Sequence, residues 1–125
     1  MILYKNDYYY NIIVMLSKKQ ESVIQSILNG ETIFLTGSPG TGKSFVLQVV
    51  MPQLINKNVG ITATTGCAAI NVGGTTIHSF FKLKPDTNII KHIDKLISTK
   101  CDTYKKLKDL DILIIDEVSM FDSIL

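Results

Sequence analysis

Apolar residues along the chain follow two alternating patterns, one with the period of a helix and one of short continuous runs. Helical spacing begins after Ser17, which fits a capping box with Gln20, and it stops before Gly30. Short apolar runs without alternation are typical of buried parallel strands, so strands that alternate with helices predict a parallel α/β sheet. The predicted strands are residues 32–36, 59–63 and 111–116, and the predicted helices lie within 17–30, 45–51 (ended by Pro52), 65–72 and 88–99, with a turn at 73–74.

The chain of 125 residues is expected to be one domain or part of one. Residues 1–16 form an apolar, tyrosine-rich lead-in without the basic region or cleavage site of a signal peptide. No apolar run approaches the roughly 18–20 residues that a membrane helix needs, so no membrane partner is expected. Cys67 and Cys101 are expected to be free thiols in a reducing, intracellular compartment, and with two histidines beside them they do not favour a zinc site.

The formal net charge of +2 does not by itself argue for nucleic acid, and all thirteen basic residues are lysine. The charge is distributed unevenly along the chain, because residues 82–109 carry eight lysines and four aspartates. Two interpretations of this run stay open, a basic patch and a solvated helical face.

A run between the first predicted strand and the second predicted helix matches the Walker A pattern, Gly-x-x-x-x-Gly-Lys-Ser. Glycines let successive backbone N–H groups turn toward a phosphate, and the following helix adds its N-terminal dipole. Lys43 is expected to supply a mobile cation for the β- and γ-phosphates of ATP, and the Ser44 hydroxyl to ligate Mg²⁺. The expected nucleotide-binding residues of this loop are Gly37, Ser38, Pro39, Gly40, Thr41, Gly42, Lys43 and Ser44.

The third predicted strand runs through apolar residues into Asp116 and Glu117, which is a Walker B pattern. A carboxylate at the C-terminal end of a strand can reach a Mg²⁺ bound at the phosphate loop. Asp116 is expected to hold the metal and Glu117 to polarise the attacking water. A second carboxylate favours hydrolysis over phosphoryl transfer to a metabolite, so Lys43, Asp116 and Glu117 are the candidate catalytic residues.

Residues 62–81, between the two Walker motifs, are rich in hydroxyl groups and glycine and begin at the carboxyl end of a predicted strand. Such a loop donates backbone N–H and hydroxyl hydrogen bonds to phosphates without needing positive charge. The ring-bearing side chains leave two interpretations open. Either His78 and Phe80 stack on bases, or His78 is a structural histidine and Phe80 and Phe81 belong to the core.

With these motifs in order, the chain resembles the start of the motor of the PIF-one family of DNA helicases, in the RecD-like 5′→3′ branch of superfamily 1. The resemblance covers roughly residues 16–125. Its most specific motifs are Thr-Gly-x-Ala-Ala and Gly-Gly-Thr-Thr-Ile-His-Ser, because the Walker motifs are shared by many ATPases. It implies that Gln20 reads adenine, although the capping box competes for the same side chain. It also implies that a loop track contacts single-stranded DNA, through Thr64, Thr65, Gly66, Thr76, His78 and Ser79.

The resemblance further implies a P-loop NTPase fold, in which residues 17–125 are a partial RecA-like domain, incomplete at the C-terminus. The expected missing parts are a strand between the Walker A and Walker B strands, and the second RecA-like domain with its arginines. Because a helicase moves by closing a cleft between two such domains, the 125-residue polypeptide is not expected to unwind DNA alone.

Two other function classes stay open beside an ATP-dependent DNA helicase part. One is a non-catalytic remnant that binds nucleotide or DNA and acts through partners. The other is an AAA-type ATPase or a small kinase, although residues 82–109 carry no signal for the acceptor site and lid that a kinase needs.

Overall fold

A computed structural model describes residues 16–84 and 88–120 of the chain. The predicted lead-in, residues 1–16, lies almost entirely outside the described residues. Contacts divide the chain into two compact units, residues 1–56 and residues 57–125, and each is described by itself. None of the described helices is long and apolar enough to cross a bilayer.

The first unit contains helix α1 (Lys18–Leu28) and helix α2 (Lys43–Val50), which contact each other. The capping box that the sequence predicts is complete, because the Ser17 hydroxyl accepts from the Gln20 N–H and the Gln20 side chain accepts from the Ser17 N–H. Each bond satisfies a backbone donor that the first helical turn leaves without a partner. The apolar face of these helices is buried at Ile24, Val46, Val49 and Val50.

The predicted strand at residues 32–36 is wrong for the described structure, in which residues 31–38 join no sheet. A strand is defined by its hydrogen-bonded neighbour, and no described residue pairs with this run. Its apolar side chains are correspondingly open to solvent, and Phe34 is 76% exposed. The apolar run was a sound signal for a buried strand, but burial requires a partner that the described part of the chain does not provide.

The predicted stop at Pro52 is also imprecise, since a 3₁₀ turn continues through Met51–Leu54 after α2. Proline at the first positions of a helical turn lacks only an N–H that would have no intrahelical partner there. Pro52 therefore ends the α-helix but does not end the helical path of the backbone.

The second unit is a three-stranded parallel sheet with flanking helices, which confirms the predicted α/β class. The strand order is β2-β1-β3. The predicted strands 59–63 and 111–116 form as β1 and β3, while the short β2 was not predicted. In chain order the elements are β1 (Val59–Ala63), α3 (Gly66–Asn71), β2 (Thr75–Thr76), α4 (Ile77–Phe81), α5 (Ile89–Thr99), α6 (Asp102–Lys108), β3 (Ile112–Asp116) and a 3₁₀ turn (Val118–Met120).

The central strand β1 carries the core of this unit. Thr62 and Ala63 have no exposed surface, and the Thr62 hydroxyl donates to the carbonyl oxygen of Ile114 at 2.9 Å, so its polar atom is satisfied. Asn58 fixes the other end of the strand pair, because its N–H donates to the Asp111 carboxylate at 2.8 Å. These bonds hold β1 and β3 in register at both ends.

The lysine-rich run of residues 82–109 lies mainly on helices α5 and α6. All eight of its lysines are exposed, and the ion pair between Lys105 and Asp102 has a long separation of 3.6 Å. Lysines in the last turn of α6 complement the negative end of the helix dipole. A basic patch and a solvated helical face both require exposed lysines, so these exposures fit both open interpretations.

Candidate functional site

The phosphate-loop residues form an exposed turn that leads into α2 in the first unit. Gly40 and Gly42 have φ angles of 79° and 83°, in the left-handed region where a side chain on an L-residue is disfavoured. Gly42 is also the N-cap of α2, so the reversal of the backbone begins the helix directly. Gly40 and Gly42 are therefore required by the backbone path.

Lys43, the first residue of α2, reaches back over the loop. Its Nζ donates to the carbonyl oxygens of Gly37 at 2.8 Å and Ser38 at 3.2 Å. An ammonium has three N–H donors, so one remains beyond these two bonds. The lysine is thus held against the loop by backbone oxygens, and Ser44 is the next residue of the helix.

Thr41 stabilises the same turn. Its hydroxyl donates to the Ser38 carbonyl at 2.8 Å, and a Cβ added to Gly37 would lie 2.7 Å from that hydroxyl oxygen. Real Cβ atoms essentially never come this close, so a side chain at position 37 would require the Thr41 hydroxyl to shift.

Gln20 performs the capping role and also reaches the phosphate loop. Its Oε1 accepts from the Ser17 N–H at 2.8 Å, and its Nε2 donates to the Thr41 carbonyl at 3.4 Å. A side-chain amide has two N–H donors and two acceptor sites, so one of each is left for a ligand. The amide therefore has enough hydrogen-bonding groups for the cap and for a nucleotide contact together.

The substitution Gln20→Glu separates the two roles. A carboxylate oxygen still accepts from the Ser17 N–H, so the helix cap is retained. The second oxygen faces the Thr41 carbonyl and cannot donate to a base. We expect the affinity for ATP, measured relative to base-free tripolyphosphate, to fall about tenfold, since a net hydrogen bond contributes about 1 kcal/mol and the new contact is repulsive. An unchanged ratio in fluorescence titrations would leave Gln20 as a cap alone.

The remaining candidate residues gather at one edge of the sheet in the second unit. Parallel register places Ala63 opposite Thr76 on one side and opposite Asp116 on the other. All three strands therefore reach their carboxyl ends together, which is where ligands bind in open α/β sheets. The residues that follow these ends are the predicted DNA-contact and Walker B residues.

Asp116 and Glu117 leave β3 through an unusual backbone turn. The Glu117 N–H donates to Asp116 Oδ1 at 2.9 Å, and Glu117 has a φ of +53°, which non-glycine residues adopt only at a cost. The Glu117 carbonyl accepts from the Thr64 hydroxyl at 3.0 Å. Asp116 is half-buried and the Glu117 side chain is exposed.

Two threonines among the predicted DNA-contact residues form hydrogen bonds within the protein. Thr65 caps α3 by accepting from the Ala68 N–H at 3.2 Å, and Thr76 caps α4 by accepting from the Ser79 N–H at 3.3 Å. In both bonds the hydroxyl accepts, so its own proton stays available to an acceptor such as a phosphate oxygen. Gly66, His78 and Ser79 are exposed at the same edge.

Phe80 and Phe81 are less exposed to solvent than His78. Phe80 is 9% exposed, and Lys106 Nζ lies 4.8 Å from its ring centroid. Phe81 packs edge-on against Phe80, with ring centroids 5.3 Å apart. This supports the core interpretation of Phe80 over base stacking, whereas the exposure of His78 leaves it able to contact a ligand.

The cysteines are free thiols, as predicted. Cys67 is exposed, and Cys101 precedes α6. The backbone N–H of Tyr104, in the first turn of that helix, lowers the pKa of the Cys101 thiol because it stabilises the thiolate. Among the residues that the structure describes, no group of three or more His, Cys, Asp or Glu side chains is placed to hold a metal ion.

Sequence reasoning missed the bond between Thr64 and Glu117 and the left-handed conformation of Glu117. Neither has a local signal, because both depend on the register between two strands that are separated by about fifty residues in sequence. The sequence indicates only that Thr64, directly after a predicted strand, carries a hydroxyl that can donate a hydrogen bond.

Comparison with known proteins places these features in a family. A family model described as PIF1-like helicase matches residues 15–125. The chain is 38% identical over 112 residues to the ATP-dependent DNA helicase PIF1 of Candida albicans, covering 87% of this chain and 12% of that protein. It is 39% identical over 114 residues to the ATP-dependent DNA helicase PIF1 of Saccharomyces cerevisiae, covering 88% and 13% respectively.

Solved structures similar to this chain are also Pif1 helicases. The crystal structure of the Pif1 helicase from Candida albicans superposes with a TM-score of 0.73 at 41% identity, covering 86% of this chain and 25% of that one. A structure describing DNA unwinding at forked duplex DNA by two coordinating Pif1 helicases gives a TM-score of 0.63 at 28% identity, covering 85% of this chain and 25% of that one. The chain spans about an eighth of the length of these two curated relatives. Because the family model matches residues 15–125, the chain belongs to the PIF1-like helicase family.

Proposed function

We propose that this chain is the N-terminal ATP-binding part of an ATP-dependent 5′→3′ DNA helicase. The observation that carries the proposal is the phosphate loop, in which left-handed glycines precede a helix and Lys43 is held over the loop by backbone oxygens. The family match over residues 15–125 supports the same conclusion. The 5′→3′ polarity rests on the family resemblance alone.

The nucleotide would bind with its phosphates at the loop and its base at Gln20. Lys43 would exchange its bonds to the Gly37 and Ser38 carbonyls for bonds to phosphate oxygens, which are better acceptors because they are charged. Gln20 would offer its remaining amide donor and acceptor to adenine, whose N7 accepts and whose N6 donates. These roles make ATP the expected nucleotide.

Each Walker motif carries an oxygen donor of the kind that a divalent cation takes. Asp116 uses Oδ1 to accept from the Glu117 N–H, and its other oxygen makes no hydrogen bond with a described residue. Carboxylate, hydroxyl and phosphate oxygens are the ligands that Mg²⁺ prefers, so we propose Ser44 and Asp116 as its protein ligands. The bound ion would neutralise phosphate charge, and Glu117 would orient and polarise the attacking water.

Single-stranded DNA is the proposed partner of the carboxyl edge of the second unit. The available donors there are the hydroxyl protons of Thr65, Thr76 and Ser79 and the imidazole of His78. Such contacts position a phosphate backbone without reading its sequence. The second RecA-like domain, on the same longer polypeptide or on a separate one, is the further proposed partner in unwinding.

The proposal is tested by titrating the 125-residue chain with a fluorescent ATP analogue and with labelled oligothymidylate. We expect saturable binding of both, with nucleotide binding strengthened by Mg²⁺ and DNA binding weakened by the double substitution Thr65→Val and His78→Ala. A chain that binds neither ligand while retaining its far-UV circular dichroism would overturn the proposal. Binding of ATP with no DNA binding would instead favour a different P-loop ATPase.

A further inference from the structure

Thr64 belongs to the proposed DNA-contact loop and is hydrogen-bonded to Glu117, the proposed water-activating residue. It follows β1 directly, and Glu117 follows β3 directly, in strands whose last residues, Ala63 and Asp116, are paired. Its hydroxyl donates to the Glu117 carbonyl at 3.0 Å. One side chain therefore connects two segments to which the proposed function gives different tasks.

Glu117 needs such support, because its backbone is in the left-handed region with φ of +53°. For a residue with a Cβ this conformation is disfavoured, and it persists where neighbouring groups over-determine it. Both backbone polar groups of Glu117 are held by side chains, the N–H by Asp116 and the carbonyl by Thr64. These two bonds fix the peptide planes on either side of the residue and so the direction of its Cα–Cβ bond, from which the carboxylate extends.

The Thr64 hydroxyl has one proton. It can donate that proton to the Glu117 carbonyl or to an oxygen of a nucleic-acid phosphate, but a phosphate cannot donate in return. An anionic phosphate oxygen is the stronger acceptor of the two. A strand seated against Thr64 would therefore remove the bond that holds Glu117.

We propose that Thr64 is a positioning residue for Glu117, and that a single-stranded phosphate backbone competes with the Glu117 carbonyl for its hydroxyl proton. The inference rests on the proposed function and adds a direct link between DNA occupancy and the geometry of the water-activating carboxylate. Thr64 itself touches no reacting atom and acts through Glu117.

The test uses the full chain labelled with ¹⁵N and ¹³C, and it follows the amide cross-peak of Val118, whose N–H shares a peptide bond with the Glu117 carbonyl. The variants are Thr64→Val, which keeps the shape and removes the hydroxyl, and Thr64→Ser, which restores it. Without DNA, we expect the Val118 cross-peak to move in Thr64→Val and to return to the wild-type position in Thr64→Ser. A Val118 cross-peak that is identical in all three proteins would overturn the positioning role.

The second arm adds oligothymidylate. In the wild type and in Thr64→Ser, DNA should move the Val118 cross-peak toward its position in Thr64→Val, whereas in Thr64→Val that displacement should be lost and affinity should fall roughly fivefold. Equal DNA-induced displacements of Val118 in all three proteins would overturn the competition. If DNA moves no cross-peak anywhere, the DNA-binding part of the proposed function fails and the competition fails with it, while the first arm still decides the positioning role.

Discussion

Replacing Lys43 by alanine is expected to lower the affinity of the chain for ATP about 100-fold. The ammonium is already placed over the loop by bonds to the Gly37 and Ser38 carbonyls, at 2.8 and 3.2 Å. A charged hydrogen bond to phosphate contributes about 1.5–3 kcal/mol, and 1.4 kcal/mol is a factor of ten in affinity, so losing the cation removes about two powers of ten. Titration with a fluorescent ATP analogue measures this directly.

The matched control is Lys19→Ala, because Lys19 is an exposed lysine on α1 in the same unit and has no place in the loop. It changes the net charge equally, so it should leave ATP affinity within about twofold, as expected of a screened surface charge. Equal losses in both variants would mean that general charge, and not the loop geometry, governs binding. Unchanged affinity in Lys43→Ala would refute the Walker A assignment.

Gly74→Ala is expected to destabilise the second unit strongly. Gly74 lies just before β2, and an added Cβ would overlap the carbonyl oxygen and carbon of Ile61, which are backbone atoms of the central strand. Backbone in the middle of a sheet cannot move aside as a flexible side chain does, so β1 and β2 would have to separate locally. Overpacking of this kind costs about 1–3 kcal/mol, which corresponds to a fall of roughly 1 M in the urea midpoint.

Gly66→Ala is the control for this substitution. Gly66 is the first residue of α3, and a Cβ added there would meet no heavy atom within 4 Å beyond its chain neighbours and the backbone of its own helix. Its φ is not in the left-handed region, and alanine is the better helix former, so the urea midpoint should not fall. Circular dichroism during urea denaturation compares the two variants, and equal midpoints would show that the strands tolerate the added methyl group.

The features that could be predicted from sequence are those encoded by neighbours along the chain. The capping box at Ser17 and Gln20, the glycines of the phosphate loop and the strand that ends at Asp116 all follow from local spacing, and the structure contains each of them. In these segments the residue types themselves favour the local backbone conformation that the structure contains. The family resemblance that the sequence motifs indicate is confirmed by the family model, which matches residues 15–125.

The features that sequence reasoning missed depend on partners distant in the chain. Residues 32–36 have the composition of a buried strand, but pairing requires a neighbour, and none of the described residues supplies one. The left-handed conformation of Glu117 depends on the register of β1 and β3. Helix α6 was missed for a different reason, because lysines interrupt its apolar period and Cys101 is a poor capping signal.

Strand β3 has one further consequence, which concerns the behaviour of the chain in solution. Among the described residues β3 pairs with β1 alone, so its other edge presents unpaired N–H and C=O groups, and Leu113 and Ile115 on one face are 37% and 41% exposed. A flat, apolar strand edge is a template for strand addition by another polypeptide. We therefore expect the purified chain to associate through this edge as its concentration rises.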